Sequence, residues 1–332
     1  MRVGVTGATG LIGTALVRRL LAEGVGVQAL VRPSSRADKR ANDLAALGAQ
    51  VTPGDLKDAD AIARAVRGAD VVFHMAAKVN SSGTLADFIE ANLNGSERVF
   101  SACLTEGVRR VLYASSLAVY GPLGDELGDG ERIDELTPLD SSPERRDFYS
   151  HSKILADRLA SCFVREKNLP ITSLRPGIVY GPGKPPPPGL VSFTAAKTHF
   201  VFAQPAWRIP LVYVENLVDA LIDAGKSQNG ALEDFNIVDD DSLTLGAYHQ
   251  VRNTIEHSRT IFLSHGPLLA TAFLFGGIAQ RVTSAAAGFT PYQLGRSLQN
   301  RHYNTAKIRS ALGWTARVPL KDALPPSLLL NQ

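Results

Sequence analysis

The chain has 332 residues, of which 45% are hydrophobic and 20% charged. This composition is typical of a globular protein, and it excludes disorder, collagen and coiled coil as descriptions of the whole chain. The net charge of +3, from 35 basic and 32 acidic residues, is too balanced to indicate a nucleic-acid partner.

The number of cysteines and the N-terminal sequence indicate the cellular compartment. The two cysteines, Cys103 and Cys162, are too few for a disulfide framework or a cysteine-rich metal site. The residues that follow Met1 form a predicted strand rather than the basic and apolar regions of a signal peptide. We therefore expect a reduced, cytoplasmic setting.

The first 180 residues alternate short apolar runs with amphipathic stretches. The predicted strands are Arg2–Thr6, Val27–Val31, Gln50–Pro53, Val71–His74, Arg110–Ser115 and Ile171–Leu174. The predicted helices are Leu11–Glu23, Ala59–Val66, Leu85–Glu106 and Phe148–Lys167. This alternation predicts βαβ units and an α/β fold with a doubly wound, Rossmann-like parallel sheet.

The character of the sequence changes after Tyr180. The proline-rich run 181–189 predicts a loop, because proline cannot continue a helix or a central strand. We expect a nucleotide-binding domain over 1–180 and a smaller, mainly substrate-binding lobe over 181–332. Strands Leu211–Val214 and Phe235–Val238 are predicted to return to the first domain, and Thr244–Leu324 to be mostly helical.

One apolar stretch, Thr260–Ala279, raises the question of a membrane. Its uninterrupted part, Pro267–Ala279, is shorter than the roughly 20 apolar residues that a spanning helix needs. We expect a buried helix of the lobe and no spanning helix. An apolar face for a greasy substrate, or peripheral contact with a membrane surface, is the alternative.

Glycines at positions 7, 10 and 13 follow the first predicted strand and open the first helix. Glycine permits the tight turn and lets the backbone approach a pyrophosphate. The helix N-terminus offers N–H groups and a positive dipole to the phosphates. We therefore predict a dinucleotide site that contains Gly7, Thr9, Gly10, Leu11, Ile12 and Gly13.

The ends of the next strands extend this predicted site. Arg32 and Arg36 stand where an NAD site usually has an acidic residue, and arginine can pair with a 2′-phosphate. This favours NADP(H), with NAD(H) as the alternative. Asp55 and its neighbour Leu56 follow the third strand, where a carboxylate can bind the adenine amino group. Small residues at the end of the fourth strand, Ala76 and Ala77, leave room for the cofactor.

Tyr149 and Lys153 are four residues apart at a predicted helix start, on one face of that helix. A free tyrosine has a pKa near ~10, and a nearby ammonium favours its phenolate as an acid/base group. Ser116 follows the fifth strand, at the sheet edge where doubly wound folds bind ligands. There its hydroxyl can hydrogen-bond the substrate oxygen that Tyr149 protonates.

The glycines with Ser116, Tyr149 and Lys153 resemble an extended short-chain dehydrogenase/reductase of the NAD(P)-dependent epimerase/dehydratase superfamily. Residues 92–95, 174–183, 212–220 and 312–314 add matches, so the likeness covers nearly the whole chain. The resemblance implies that Ser116 and Tyr149 polarise the substrate oxygen and that Lys153 anchors the nicotinamide ribose. It also places Pro176 at the cofactor and implies a homodimer formed through Leu85–Glu106 and Phe148–Lys167.

The residues that bind a substrate diphosphate in nucleotide-sugar members are missing here, and their absence indicates the branch of the superfamily. Nucleotide-sugar members have an asparagine and an arginine that grip the diphosphate, and the matching positions here are Ile178 and Ile209, with Arg208 one residue off. The strand end at Arg32 and the apolar lobe resemble the 3β-hydroxysteroid dehydrogenase and dihydroflavonol reductase branches. These act on ketones or alcohols of bulky, apolar molecules.

The sequence thus predicts an NADP(H)-dependent oxidoreductase that interconverts a ketone or aldehyde and an alcohol on an apolar small molecule. A nucleotide-sugar epimerase or dehydratase and a non-catalytic NAD(P)-binding protein are the alternatives. No histidine spacing suggests a metal site. Four aromatic residues are predicted to line a substrate pocket or to form the lobe core: Phe193, Phe200, Phe202 and Trp207.

Overall fold

A computed structural model describes residues 1–33, 35–79, 82–121, 132–227, 233–240, 242–264 and 297–329, with the single residues 266 and 292. At 35–38 and 329 this description covers the backbone alone. The predicted apolar segment Pro267–Ala279 lies outside the described residues.

A seven-stranded parallel sheet forms the centre of the molecule. Its strands in spatial order are β12 (Phe235–Ile237), β7 (Ile171–Pro176), β5 (Arg110–Ala114), β4 (Val71–His74), β1 (Arg2–Thr6), β2 (Gly26–Val31) and β3 (Gln50–Pro53). The strands near its centre are buried along almost their whole length, which is why they read as continuous apolar runs. The predicted Rossmann-like α/β fold is confirmed.

Helices cover both faces of this sheet. They are α1 (Leu11–Ala22), α2 (Ser35–Ala46), α3 (Ala59–Val66), α4 (Leu85–Phe88), α5 (Gly95–Thr105), α6 (Phe148–Lys167) and α7 (Val214–Lys226). Helix α2 was not predicted, because its sequence is strongly polar and lacks a wide apolar stripe. The predicted helix Leu85–Glu106 is interrupted by a π-helical turn, Ile89–Asn94, that joins α4 to α5.

One of the two later strands that were predicted to join the parallel sheet pairs with a different strand. Strand β11 (Leu211–Tyr213) does not join the main sheet but pairs in parallel with β8 (Ile178–Tyr180), so only β12 returns as predicted. The polypeptide between β7 and β8 turns at Gly177, where a Cβ would lie 2.2 Å from the Pro210 carbonyl oxygen. This close backbone approach holds the β8–β11 pair beside the sheet.

The part of the chain after Tyr180 contains helices α8 (Leu245–Glu256), α9 (Ala306–Leu312) and α10 (Leu320–Leu329), of which α9 packs through Ile308 into the core of the main sheet. It also contains a sheet that was not predicted, with strand order β13 (Arg259–Phe262), β10 (Thr198–Val201) and β9 (Ser192–Ala195). Each strand has four residues, too few for its period-two alternation to stand out in the sequence. A two-stranded ladder, β6 (Arg132–Ile133) with β14 (His302–Tyr303), lies apart from both sheets.

The C-terminal segment is tied to α7 through Asn216. Its side-chain oxygen accepts hydrogen bonds from the backbone N–H groups of Arg317 and Val318, and its amide nitrogen donates to the Val318 carbonyl. The Trp314 indole donates to the Asn216 carbonyl at 3.0 Å. Within the described ranges, no helix is both long enough and apolar enough to cross a bilayer.

Candidate active site

The glycine-rich loop between β1 and α1 is packed against backbone on two sides. Gly7 has a φ of +69°, and a Cβ there would lie 2.7 Å from the Ala76 nitrogen. A Cβ on Gly13 would lie 2.1 Å from the Gly7 carbonyl oxygen. Only glycine fits at these two positions, and their crowding brings the start of α1 directly over the end of β1.

The start of α1 presents unpaired donors. Gly10 precedes the helix and provides no side-chain cap. The first N–H groups of an α-helix, here those of Leu11, Ile12 and Gly13, have no partner within the helix, and the helix dipole adds positive potential. Together with the glycine cradle, this arrangement fits the pyrophosphate of a dinucleotide.

Basic side chains stand beside this loop. Arg32 is exposed directly after β2, and Arg36 lies in α2, with its side chain outside the described residues. Arg40, also in α2, donates from Nη1 to the Thr9 carbonyl at 2.6 Å. Sequence reasoning missed Arg40 because it did not identify α2, whose spacing would have brought this residue toward the glycine loop.

The remaining predicted cofactor residues lie at the carboxyl ends of the parallel strands. Asp55 follows β3, and its Oδ1 accepts from the Lys57 N–H at 2.7 Å. Leu56 packs against Gly95, where a Cβ would come within 2.9 Å of the leucine side chain. Ala76 and Ala77 follow β4, half-buried and exposed, and Pro176 is the buried last residue of β7.

The structure brings Ser116 and Tyr149 into contact. Ser116 follows β5, and its Oγ accepts from the Ala118 N–H at 3.1 Å. Tyr149 lies in the first turn of α6, which Asp147 caps by accepting from the Ser150 N–H at 2.9 Å. Burial raises the pKa of Tyr149, and the nearby Ser116 hydroxyl lowers it by less. Tyr149 is therefore a protonated phenol at neutral pH.

Lys153 is buried one helical turn beyond Tyr149. Its Nζ donates to the Ala114 carbonyl at 2.6 Å and to the Tyr113 hydroxyl at 2.9 Å. Burial lowers the pKa of Lys153 to about 7, although the Asp157 carboxylate acts in the opposite direction. The amine is thus aimed by two acceptors on β5, and it titrates near neutrality.

A buried polar network lies behind these groups, and sequence reasoning did not identify it. His74 is buried between the Thr6 hydroxyl, 2.7 Å from Nδ1, and the Ser96 hydroxyl, 2.9 Å from Nε2. Ser96 gives its proton to the Asn92 carbonyl at 2.6 Å, so His74 Nε2 must donate and Nδ1 must accept from Thr6. Burial lowers the pKa of His74 to about 3, which keeps the ring neutral.

This network links the glycine loop to the catalytic helix. The Ala76 N–H donates to the Thr6 hydroxyl, and the Tyr113 ring stacks on the His74 ring with centroids 5.6 Å apart. Asn92, in the π-helical turn, donates to the Ser152 hydroxyl at 2.8 Å and binds both backbone polar groups of Lys78. Single π-helical turns are frequent at functional sites in α-helices.

The structure also locates the residues used to weigh a diphosphate site. Ile178 is half-buried in β8, and Ile209 is buried, so neither side chain offers a hydrogen-bond donor to a diphosphate.

The structure separates two of the four aromatic residues that were predicted to line a pocket or form the lobe core. Trp207 belongs to the buried lobe core, whereas Phe193 is 51% exposed. Among the described residues, no group of three or more His, Cys, Asp or Glu side chains could hold a metal ion.

We predict that Gly13→Ala destabilises the fold by about 1–3 kcal/mol, since the new methyl group collides with the Gly7 carbonyl. It should also weaken dinucleotide binding at least tenfold. Urea denaturation and fluorescence titration with NADPH measure the two effects. Gly26→Ala is the matched control, because a Cβ there meets only the Met1 carbonyl oxygen at 3.9 Å. A Gly13→Ala protein with the stability and affinity of this control contradicts the packing argument.

A second prediction concerns Lys153. Between about pH 7 and pH 10 the unfolded chain carries a proton on this amine that the folded chain lacks, so the cost of burying Lys153 falls and the free energy of unfolding rises with pH. The increase is at most roughly 1.4 kcal/mol per pH unit. Lys153→Met should remove this increase from urea denaturation series, whereas Lys167→Met, at an exposed position of the same helix, should retain it. An identical pH dependence in wild type and Lys153→Met would show that Lys153 is not depressed.

Comparison with known proteins gives two kinds of relative. The chain is 32% identical over 187 residues to a 2-alkyl-3-oxoalkanoate reductase of Shewanella oneidensis, an alignment that covers 54% of this chain and 45% of that protein. It is 26% identical over 294 residues to 3beta-hydroxysteroid-dehydrogenase/decarboxylase isoform 1 of Arabidopsis thaliana, covering 83% and 65%. The chain spans about half the length of the first curated relatives it matches.

The other kind of relative matches end to end. UDP-glucose 4-epimerase of Mycolicibacterium smegmatis is 27% identical over 339 residues, covering 98% of this chain and 96% of that protein. Among solved structures, the crystal structure of gox2253 superposes with a TM-score of 0.80 at 26% identity, covering 99% of this chain and 97% of the other.

A family model is decisive, since it matches residues 3–237, which contain the glycine loop, Ser116, Tyr149, Lys153 and, apart from Arg2 in β1, the seven strands of the parallel sheet. The chain belongs to the NAD dependent epimerase/dehydratase family, with the extended short-chain dehydrogenase/reductase fold.

Proposed function

We propose that this protein is an NADP(H)-dependent oxidoreductase that interconverts a ketone or aldehyde and an alcohol on an apolar small molecule. The observation that carries this proposal is the grouping of Ser116, Tyr149 and Lys153 at the carboxyl end of β5, where Lys153 Nζ donates to the Ala114 carbonyl and the Tyr113 hydroxyl. The glycine cradle beside this edge of the sheet fits the cofactor that such chemistry needs.

Tyr149, Ser116 and Lys153 each have a distinct role in the reduction of a carbonyl group. The bound nicotinamide supplies the hydride. Tyr149 is protonated at neutral pH and gives its hydroxyl proton to the substrate oxygen, while Ser116 orients that oxygen by hydrogen bonding. In the reverse direction Tyr149 takes the proton back. The buried Lys153 amine holds the nicotinamide ribose and, when charged, favours the phenolate.

The preference for NADP(H) rests on the basic groups at the end of β2. Arg32 is exposed there, and the sequence places no acidic residue at this strand end to bind a ribose 2′-hydroxyl. Arg40 adds a second guanidinium at the glycine loop. A guanidinium can pair with a 2′-phosphate through a charge-assisted fork. NAD(H) is the alternative, in keeping with the description of the family.

An apolar carbonyl compound is the substrate class that the site supports best. Ile178 and Ile209 offer no donor to a diphosphate, and curated relatives include a 2-alkyl-3-oxoalkanoate reductase. The end-to-end similarity to a UDP-glucose 4-epimerase favours the second candidate, a nucleotide-sugar epimerase with bound NAD(P). Homodimerisation through Leu85–Glu106 and Phe148–Lys167, the substrate-binding role of the lobe and a cytoplasmic location stay predictions.

NADPH oxidation against a panel of apolar ketones and aldehydes tests the proposed activity, and Tyr149→Phe tests the mechanism. We expect the variant to lose about 10²–10⁴-fold in kcat, because only the acid/base hydroxyl is removed, with NADPH affinity within about threefold of wild type. Tyr213→Phe, which removes a phenol outside the candidate site, should leave kcat unchanged. Undiminished turnover in Tyr149→Phe would refute its role. Inactivity with the panel but interconversion of UDP-sugars would establish the second candidate.

Coenzyme selectivity gives a separate prediction. Arg32→Ala should raise the Kd for NADPH about ten- to a hundredfold, the value of one charge-assisted hydrogen bond, and change the Kd for NADH little. Arg18→Ala, an exposed arginine on α1, is the control and should alter neither. Fluorescence titration with both coenzymes measures the ratio. Equal losses for the two would contradict the assignment to the 2′-phosphate.

A further inference from the structure

The three-stranded sheet of the lobe carries a row of apolar side chains across its strands. Phe200 in β10 pairs in register with Phe193 in β9 and with Ile261 in β13. The Phe193 and Phe200 rings stack with centroids 4.8 Å apart and an interplanar angle of 11°. We call these three residues the Phe193 row.

The Phe193 row lies on the outer face of its sheet. Side chains alternate between the two faces of a strand, and the neighbours of Phe200, His199 and Val201, are buried against the lobe. Phe193 is 51% exposed and Ile261 is 45% exposed. An antiparallel pair with one buried face normally presents polar side chains on the other, so an aromatic and aliphatic row there is unexpected.

The charge around the row has one sign. Residues 190–203 and 257–264 contain Lys197 and Arg259 but no aspartate or glutamate. Both basic side chains are exposed, and their backbones meet, because the Arg259 N–H donates to the Lys197 carbonyl at 2.8 Å. Arg259 is two residues from Ile261 in β13 and therefore shares its face of the sheet.

The nearest acidic group along the chain does not offset this charge. Glu256, at the end of α8, accepts from the Arg252 guanidinium at 2.8 and 2.9 Å and contacts His199 Nε2 at 2.8 Å. Its carboxylate is therefore engaged on the inner side of the sheet. Among the described residues of the three strands and the β9–β10 turn, the charged groups beside the apolar row are therefore Arg259, on the same face, and Lys197, in the turn.

We propose that the Phe193 row docks on the surface of an anionic phospholipid bilayer. Phenylalanine and isoleucine side chains enter the boundary between headgroups and acyl chains, while Lys197 and Arg259 meet the lipid phosphates. A second copy of the chain is a poorer occupant, because symmetric pairing of this small face brings like charges together. The inference is independent of the proposed catalytic function.

Cosedimentation of the full chain with vesicles tests this proposal. We expect binding to vesicles of equal parts phosphatidylcholine and phosphatidylglycerol, and little to phosphatidylcholine alone. Phe193→Asn combined with Ile261→Asn should weaken binding roughly tenfold or more. Lys197→Glu combined with Arg259→Glu should weaken it about twentyfold or more, given about fivefold for each basic residue lost.

Matched controls separate this face from general effects. Leu136→Asn removes an apolar side chain that is 88% exposed outside this sheet, and Arg18→Glu with Arg64→Glu reverses two exposed charges elsewhere. Both controls should bind as wild type, and circular dichroism should show every variant folded. A wild type that stays in the supernatant, or Phe193 and Ile261 variants that bind undiminished, would overturn the proposal. So would a dimer that these variants dissociate without any vesicle binding by wild type.

Discussion

The close approach of three backbone segments at Gly7 is the constraint on which the rest of the site depends. Gly7 touches the chain after β4 on one side and the first turn of α1 on the other, with distances that leave no room for a Cβ. Helix α1 begins there without a side-chain cap, so its first N–H groups are left free at this edge of the sheet. Parallel topology then brings the ends of β2, β3, β4, β5 and β7 to that same edge.

The buried network behind this edge makes the loop and the catalytic helix one unit. His74 connects Thr6 in β1 to Ser96 in α5, and the Tyr113 ring, which stacks on His74, carries the hydroxyl that accepts from Lys153 in α6. From Thr6 through His74 to Ser96, each hydrogen bond has a defined direction of donation, and the series ends at the Asn92 carbonyl. Such fully paired networks specify one arrangement, since any alternative would leave a buried polar group unsatisfied.

The lobe buries apolar side chains on one side of its three-stranded sheet and exposes others on the opposite side. Its inner side packs around Trp207, Tyr180 and Tyr248 into a continuous apolar core. The outer side of β9, β10 and β13 leaves aromatic surface in water beside two basic residues. The described part of the molecule therefore presents two unlike surfaces, the polar edge of the parallel sheet and the apolar Phe193 row with Arg259 beside it.

The sequence by itself determined the parallel sheet, the glycine loop and the Tyr149–Lys153 pair, because each depends on local spacing. Strands buried on both faces read as apolar runs, and residues four apart share a helix face wherever the helix packs. Only the tertiary structure decided the roles of His74 and Tyr113. Thr6 and His74 are 68 positions apart, and Tyr113 and Lys153 are 40 apart. No local pattern encodes these contacts, because they arise when separate strands and helices pack together. The register of the Phe193 row likewise exists only once three short strands have paired.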